Sequence, residues 1–157
     1  MKAIIIYATK HGATKKIAEH IANRIGGTVL CDITENHPLC ISDYDCVILG
    51  SPLTAGMIHK QIKQFAANHI EQLTSKRLGL FVSGLQKEGE ATYLKQNFPP
   101  GLLDAARAKA FLGGIFDPAK CGFLARIGIK MAAKLNTYTS IIDEDEINAF
   151  VQLLLES

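Results

Sequence analysis

Residues 2–25 read KAIIIYATKHGATKKIAEHIANRI, and they change period halfway. Lys2–Ala8 is a continuous apolar run rich in β-branched residues, the composition of a strand buried on both faces of a parallel sheet. From Thr14 to Ile25 the apolar residues Ile17, Ala18, Ile21, Ala22 and Ile25 recur at helical spacing, and Gly26-Gly27 stops the helix. Between strand and helix lies Thr9-Lys10-His11-Gly12-Ala13-Thr14. A loop that opens a helix presents unpaired N–H groups and the positive end of the helix dipole. Gly12 allows close backbone approach, Thr9 and Thr14 offer hydroxyl donors, and Lys10 and His11 add positive charge. The loop lacks the G-x-x-x-x-G-K-[ST] and G-x-G-x-x-G patterns, so the chemistry suits a monophosphate held by hydroxyls and backbone.

The alternation continues outward from this unit. Strands are expected over Thr28–Asp32, Asp45–Gly50, Arg77–Ser83 and Ala108–Ile115. Helices are expected over His59–His69, around Ala91–Asn97 with a break at Pro99-Pro100, and over Phe123–Leu135 and Asp143–Glu156. Asp143 with Glu146 three residues on has the form of a capping box. Five strands alternating with helices predict an α/β fold, a three-layer, doubly wound, five-stranded parallel sheet in the order 2-1-3-4-5. Ligands of such sheets sit beyond the strand C-termini, at the switch point between strands 1 and 3. Function is therefore expected in the loops after strands 1, 3 and 4.

The stretch Ile5–Ile21 resembles the flavodoxin signature at Ile5, Ile6, Tyr7, Thr9, Gly12, Thr14, Ala18 and Ile21. The resemblance implies a flavodoxin-like fold and non-covalently bound FMN that serves electron transfer or oxidoreduction. It implies that Thr9, Lys10, His11, Gly12, Ala13 and Thr14 hold the phosphate. In the loop after strand 3 it assigns Ser51, Pro52, Leu53, Thr54, Ala55 and Gly56 to the ribityl chain and one ring face, with Leu53 or Met57 packing on the ring. No aromatic stands in that loop, so aliphatic atoms are expected to cover that face. After strand 4 it assigns Ser83, Gly84 and Leu85 to the polar edge of the ring. Lys87, turned inward, would stabilise charge on the reduced ring, and Tyr93 is expected on a helix face.

A second resemblance joins the first loop, Gly113-Gly114 and Ile129-Lys130-Met131 to the menaquinone-dependent protoporphyrinogen oxidase branch of the same group. It implies a flavoenzyme that oxidises a porphyrinogen and passes electrons to quinone at a membrane. That branch carries a long extra segment after strand 4, which is expected to be shortened or absent between Gly84 and Arg107. Strand 5 is expected without a long insertion. A redox protein, a small molecule or a quinone is the expected electron acceptor. On the helix Phe123–Leu135, Arg126, Lys130 and Lys134 recur every four residues and form a cationic stripe, a candidate for peripheral membrane contact.

Composition agrees with these readings. The 157 residues suit one domain, 1–157, with 48% hydrophobic and 20% charged residues. The net charge of +2 is spread thinly, with no basic tract, so no nucleic-acid partner is expected. Cys31, Cys40, Cys46 and Cys121 form no C-x-x-C pair, no Cys/His cluster has zinc spacing, and the thiols read as reduced fillers. The N-terminal apolar stretch is short for a signal peptide and is followed by Lys10, Lys15 and Lys16, so the cytoplasm is the expected compartment. A non-flavin module on the same fold, such as a phospho-receiver, needs acids at the ends of strands 1 and 3. Tyr7-Ala8-Thr9 and Gly50-Ser51 occupy those places.

Overall fold

The computed structural model describes residues 1–35, 39–120, 122, 127 and 137–157. Its elements run β1 (Ala3–Tyr7), α1 (Ala13–Ile25), β2 (Val29–Asp32), β3 (Cys46–Thr54), β4 (Met57–Ile58), α2 (Lys60–Asn68), α3 (Ile70–Thr74) and β5 (Arg77–Ser83). There follow α4 (Glu90–Asn97), α5 (Pro100–Ala105), β6 (Ala108–Phe111), β7 (Ile115–Phe116), a 3-10 turn (Pro118–Lys120), β8 (Thr139–Ser140) and α6 (Glu144–Leu155).

Period-two alternation along β1 divides the core in two. Ile4, Ile6 and Ala8 pack with Val47, Leu49, Leu80 and Val82 under the helices on one face. Ala3, Ile5 and Tyr7 pack with Ile48, Phe81 and Ala110 under α1 and α6 on the other. Each fully buried side chain of this size contributes about 1.5–3 kcal/mol. The main sheet has the order β2-β1-β3-β5-β6 with every neighbouring pair parallel, which is the expected 2-1-3-4-5 arrangement. Gly50 in β3 leaves room for the Phe81 ring of β5; a methyl group there would overlap it. That ring cannot retreat, because it packs edge-on against Phe150 of α6 at 6.2 Å between centroids.

Three boundaries depart from expectation. β3 does not stop at Gly50 but runs on through Ser51-Pro52-Leu53-Thr54 and turns back into β4. Pro52 is tolerated there because β1 has already ended at the level of Gly50, so its missing N–H breaks no ladder bond on that side. The turn uses Ala55 at φ 51° and Gly56 at φ 77°, the left-handed pair of a two-residue hairpin. Pro99-Pro100 does end α4, but Pro100 then opens α5, where its missing N–H is harmless. Strand 5 ends at Phe111 rather than Ile115. Ile115-Phe116 pair instead with Thr139-Ser140. Residues 84–107 are filled by α4 and α5.

The cationic stripe Arg126, Lys130 and Lys134 lies outside the described residues, as does Cys121. Cys46 is buried, and burial, partly offset by Arg77 and Arg107, pushes its thiol up to about 11; Cys40 is exposed rather than a filler. Among the described residues no helix is long and apolar enough to cross a membrane.

The C-terminal end of α6 is held by two guanidinium groups. Arg77 donates to the Leu154 and Glu156 carbonyls at 2.9 and 3.0 Å, and Arg107 donates to Glu156. At its other end Asp143 caps the helix by accepting from the Glu146 N–H at 3.0 Å, as the capping-box pattern predicts. Glu144 ties this end to α1 through His20 and Arg24. Partial desolvation raises the Glu144 carboxyl, but the hydrogen bond from Arg24 and the neighbouring His20 outweigh it and hold the group below the usual carboxylate range. A carboxylate depressed in the folded state adds stability above its unfolded pKa and loses it as pH falls through the folded value. Because the pair is exposed, Glu144→Gln should cost at most about 1 kcal/mol at pH 7 by urea denaturation. The difference from the parent should close at acid pH, below the depressed value.

Candidate functional site

Parallel strands bring all their C-terminal ends to one edge of the sheet. Tyr7 stands level with Gly50, Pro52 with Ser83, and Val82 with Phe111. The loops after strands 1, 3 and 4 therefore meet at this edge, as topology requires.

The first loop is built around an open helix end. Gly12 is the N-cap of α1 at φ 94°, a left-handed conformation that favours glycine. Its N–H donates to Thr9 Oγ1 at 3.0 Å, so Thr9 folds the loop on itself. No side chain caps the first turn of α1, and no acidic residue lies in it. Both α4 and α6 carry acids in their first turns. The positive end of α1 thus has no capping or acidic side chain of its own, as an anion site at a helix N-terminus requires. Lys10 is exposed, while His11, Gly12 and Ala13 are half-buried.

Thr14 does not face the loop alone. It is 1% exposed, and its hydroxyl lies 2.8 Å from that of Ser83, itself 2% exposed, at the end of β5. This contact joins the first and third loops, whose sequence positions are 69 apart. Each hydroxyl retains lone pairs, and one O–H of the two remains to donate to a ligand oxygen.

The second loop is the β3–β4 hairpin. Ser51 is fully buried; its hydroxyl accepts from the His59 N–H at 2.7 Å and donates to the Pro52 carbonyl at 3.0 Å. Ser51 therefore braces the hairpin base rather than offering a free donor. Leu53 packs against the core and near Gly84, whereas Thr54, Ala55 and Met57 are exposed. Sequence reasoning missed the residue that positions this hairpin. Asn97 of α4 accepts from the Ile58 N–H at 2.9 Å and donates to the carbonyls of Gly56 and Tyr93 at 2.8 Å each. Tyr93 lies beside Gly56 and Gly89, so it spans the hairpin and the start of α4. No local signal marks Asn97 as a brace of the hairpin, because its two hairpin partners lie 39 and 41 residues away.

In the third loop, the Gly84 N–H donates to the Gly113 carbonyl at 3.0 Å. A side chain at Gly114 would overlap the Gly84 backbone. Gly84 thus has its N–H already engaged, and the donors expected of it for a ring edge fall to other groups. Leu85 is half-buried. Lys87 pairs with Glu146 at 2.8 Å and is directed to α6, not inward. Glu90 accepts from the Phe111 N–H at 2.8 Å and so fixes the end of β6.

No group of His, Cys, Asp and Glu among the described residues has the arrangement of a metal site. What the site offers is an uncompensated helix N-terminus, a narrow glycine at its cap and a buried hydroxyl pair. These fit a phosphate monoester dianion.

Residues 4–141 match the family model of the flavodoxin domain. An uncharacterized protein of Methanocaldococcus jannaschii is 30% identical over 112 residues, covering 71% of this chain and 69% of that protein. The protoporphyrinogen IX dehydrogenase [quinone] of Escherichia coli strain K12 is 27% identical over 79 residues, or 48% of this chain. The matched stretch spans 44% of the E. coli protein's length. Among solved structures, a short-chain flavodoxin associated with a bacterial microcompartment superposes over 99% of this chain and 97% of its own, at 13% identity and a TM-score of 0.59. That is a likeness of fold.

The Thr14–Ser83 pair makes a direct test. Thr14→Val leaves the Ser83 hydroxyl buried without its partner and should lower stability by about 1–2 kcal/mol. Adding Ser83→Ala removes the orphan, and the double variant should recover part of the loss in a denaturant double-mutant cycle. Additive losses would show that the two hydroxyls do not interact.

Proposed function

The chain belongs to the flavodoxin domain family, and from that premise we propose that it binds FMN non-covalently and serves in electron transfer or oxidoreduction. The observation that carries the proposal is the first turn of α1, which has neither a capping side chain nor an acid. When bound, the flavin supplies the redox chemistry, and the protein supplies binding, orientation and electrostatics. The N–H groups opening α1 and the Thr9 hydroxyl are assigned to the phosphate. The Thr14–Ser83 pair holds the phosphate loop against the end of β5 and leaves one O–H for the ligand. The hairpin tip, with Thr54, Ala55 and Gly56, and the third-loop residue Leu85 are assigned to the ribityl chain and ring. Ser51 and Asn97 fix the hairpin, and Gly84 fixes the third loop. No side chain is assigned as a general acid or base.

A narrower reading is favoured by the match to the E. coli dehydrogenase: a porphyrinogen as electron donor and a quinone as acceptor. A redox partner protein is the alternative acceptor. The cytoplasm and a peripheral membrane contact through Arg126, Lys130 and Lys134 belong to this reading also.

The visible absorption spectrum of the purified protein tests the proposal. Added FMN should show shifted flavin bands and quenched fluorescence. A protein that leaves the spectra of FMN, riboflavin and FAD unaltered would remove the proposal. With FMN bound, porphyrinogen oxidation with a soluble quinone would separate the narrower reading from simple electron carriage.

A further inference from the structure

Two positive features meet at the mouth of the first loop. One is the N-terminus of α1, with Gly12 at its cap. The other is the Lys120 ammonium, which would lie 3.8 Å from a Cβ placed on Gly12. Like charges of this kind are unfavourable together unless an anion lies between them. Among the described residues no carboxylate does so: α1 has no acid in its first turn, and Lys120 makes no ion pair. Lys87 and Arg24, by contrast, are both paired with carboxylates. The nearest acid in the chain, Asp117, is engaged locally. Its Oδ1 accepts from the Ala119 N–H at 3.0 Å, and its carbonyl accepts from the Lys120 N–H at 3.0 Å.

The approach of Lys120 to Gly12 is built into the fold. Its 3-10 turn, Pro118–Lys120, directly follows β7. The base of β7 is fastened to the third loop: Gly113 accepts from Gly84, and the Gly114 carbonyl accepts from the Ile141 N–H at 2.8 Å. The chain therefore runs from the third loop to the first and brings the Lys120 ammonium, without a carboxylate partner among the described residues, to the phosphate loop.

We propose that Lys120 provides the charge opposite the FMN phosphate and sets the preference of the site for FMN over riboflavin. The assignment rests on the flavin reading above. FMN and riboflavin share the ring and ribityl chain and differ only in the phosphate, so a cation facing the phosphate acts on one and not the other. An exposed cation of this kind is screened by salt, which bounds its effect.

Fluorescence-quenching titrations with FMN and with riboflavin test this on the full chain. Lys120→Gln should weaken FMN binding by about three- to tenfold and leave riboflavin binding unchanged. Lys120→Arg should restore FMN binding, and Lys63→Gln, on exposed α2, should behave as the parent. The FMN affinity of the parent should also fall more steeply with added NaCl than that of Lys120→Gln. A Lys120→Gln protein that binds FMN as the parent does, or that loses both flavins equally, overturns the assignment and leaves the flavin reading standing. A parent protein that binds neither flavin overturns both.

Discussion

A parallel sheet buried on both faces tolerates a polar side chain in its interior only where a partner satisfies it, and the rest of this molecule is arranged around that constraint. Among the described residues, four polar side chains are buried: Thr14, Ser51, Ser83 and Asn97. All four stand at the edge where the strands end. Each is satisfied by a named partner, and each ties one loop to another or braces a turn. Buried polar groups in a low-dielectric setting are costly when unpaired and specific when paired. The interior polarity of the protein is thus concentrated where a ligand would meet it, and is used to hold backbone rather than to perform chemistry.

The fold was legible because its signals are local. Ile4–Ala8 and Cys46–Gly50 are apolar runs, Ile17, Ala18 and Ile21 keep helical spacing, and Gly26 closes the first helix. The errors came where punctuation misleads. Gly50 and Pro52 read as loop residues, yet they belong to a strand whose neighbour has ended. Gly113 and Gly114 sit inside an apolar run that reads as strand, yet the ladder passes from β6 to the β7–β8 pair.

The site was legible in its first loop and much less so elsewhere. The turn Thr9–Thr14 carries its own logic in consecutive residues. Roles for Ser51 and Gly84 were inferred from position, while their hydrogen bonds are set by His59 and Gly113, which only the tertiary structure supplies. Lys87 was placed by proximity in sequence and was drawn away by Glu146. Asn97 and Lys120 gave no signal at all, because the groups they approach are distant in the chain.

The opposite end of the sheet is finished differently. There Arg77, at the start of β5, and Arg107, just before β6, clasp the last carbonyls of α6 and fasten the helix to the sheet. The base is thus closed by two cations on backbone carbonyls, and the rim by a hydroxyl pair, an amide, a carboxylate and backbone contacts between loops distant in sequence. Proteins open locally where such ties are fewest. Opening the rim means parting loops that only the folded chain brings together, whereas opening the base means releasing both guanidinium groups from the last helix.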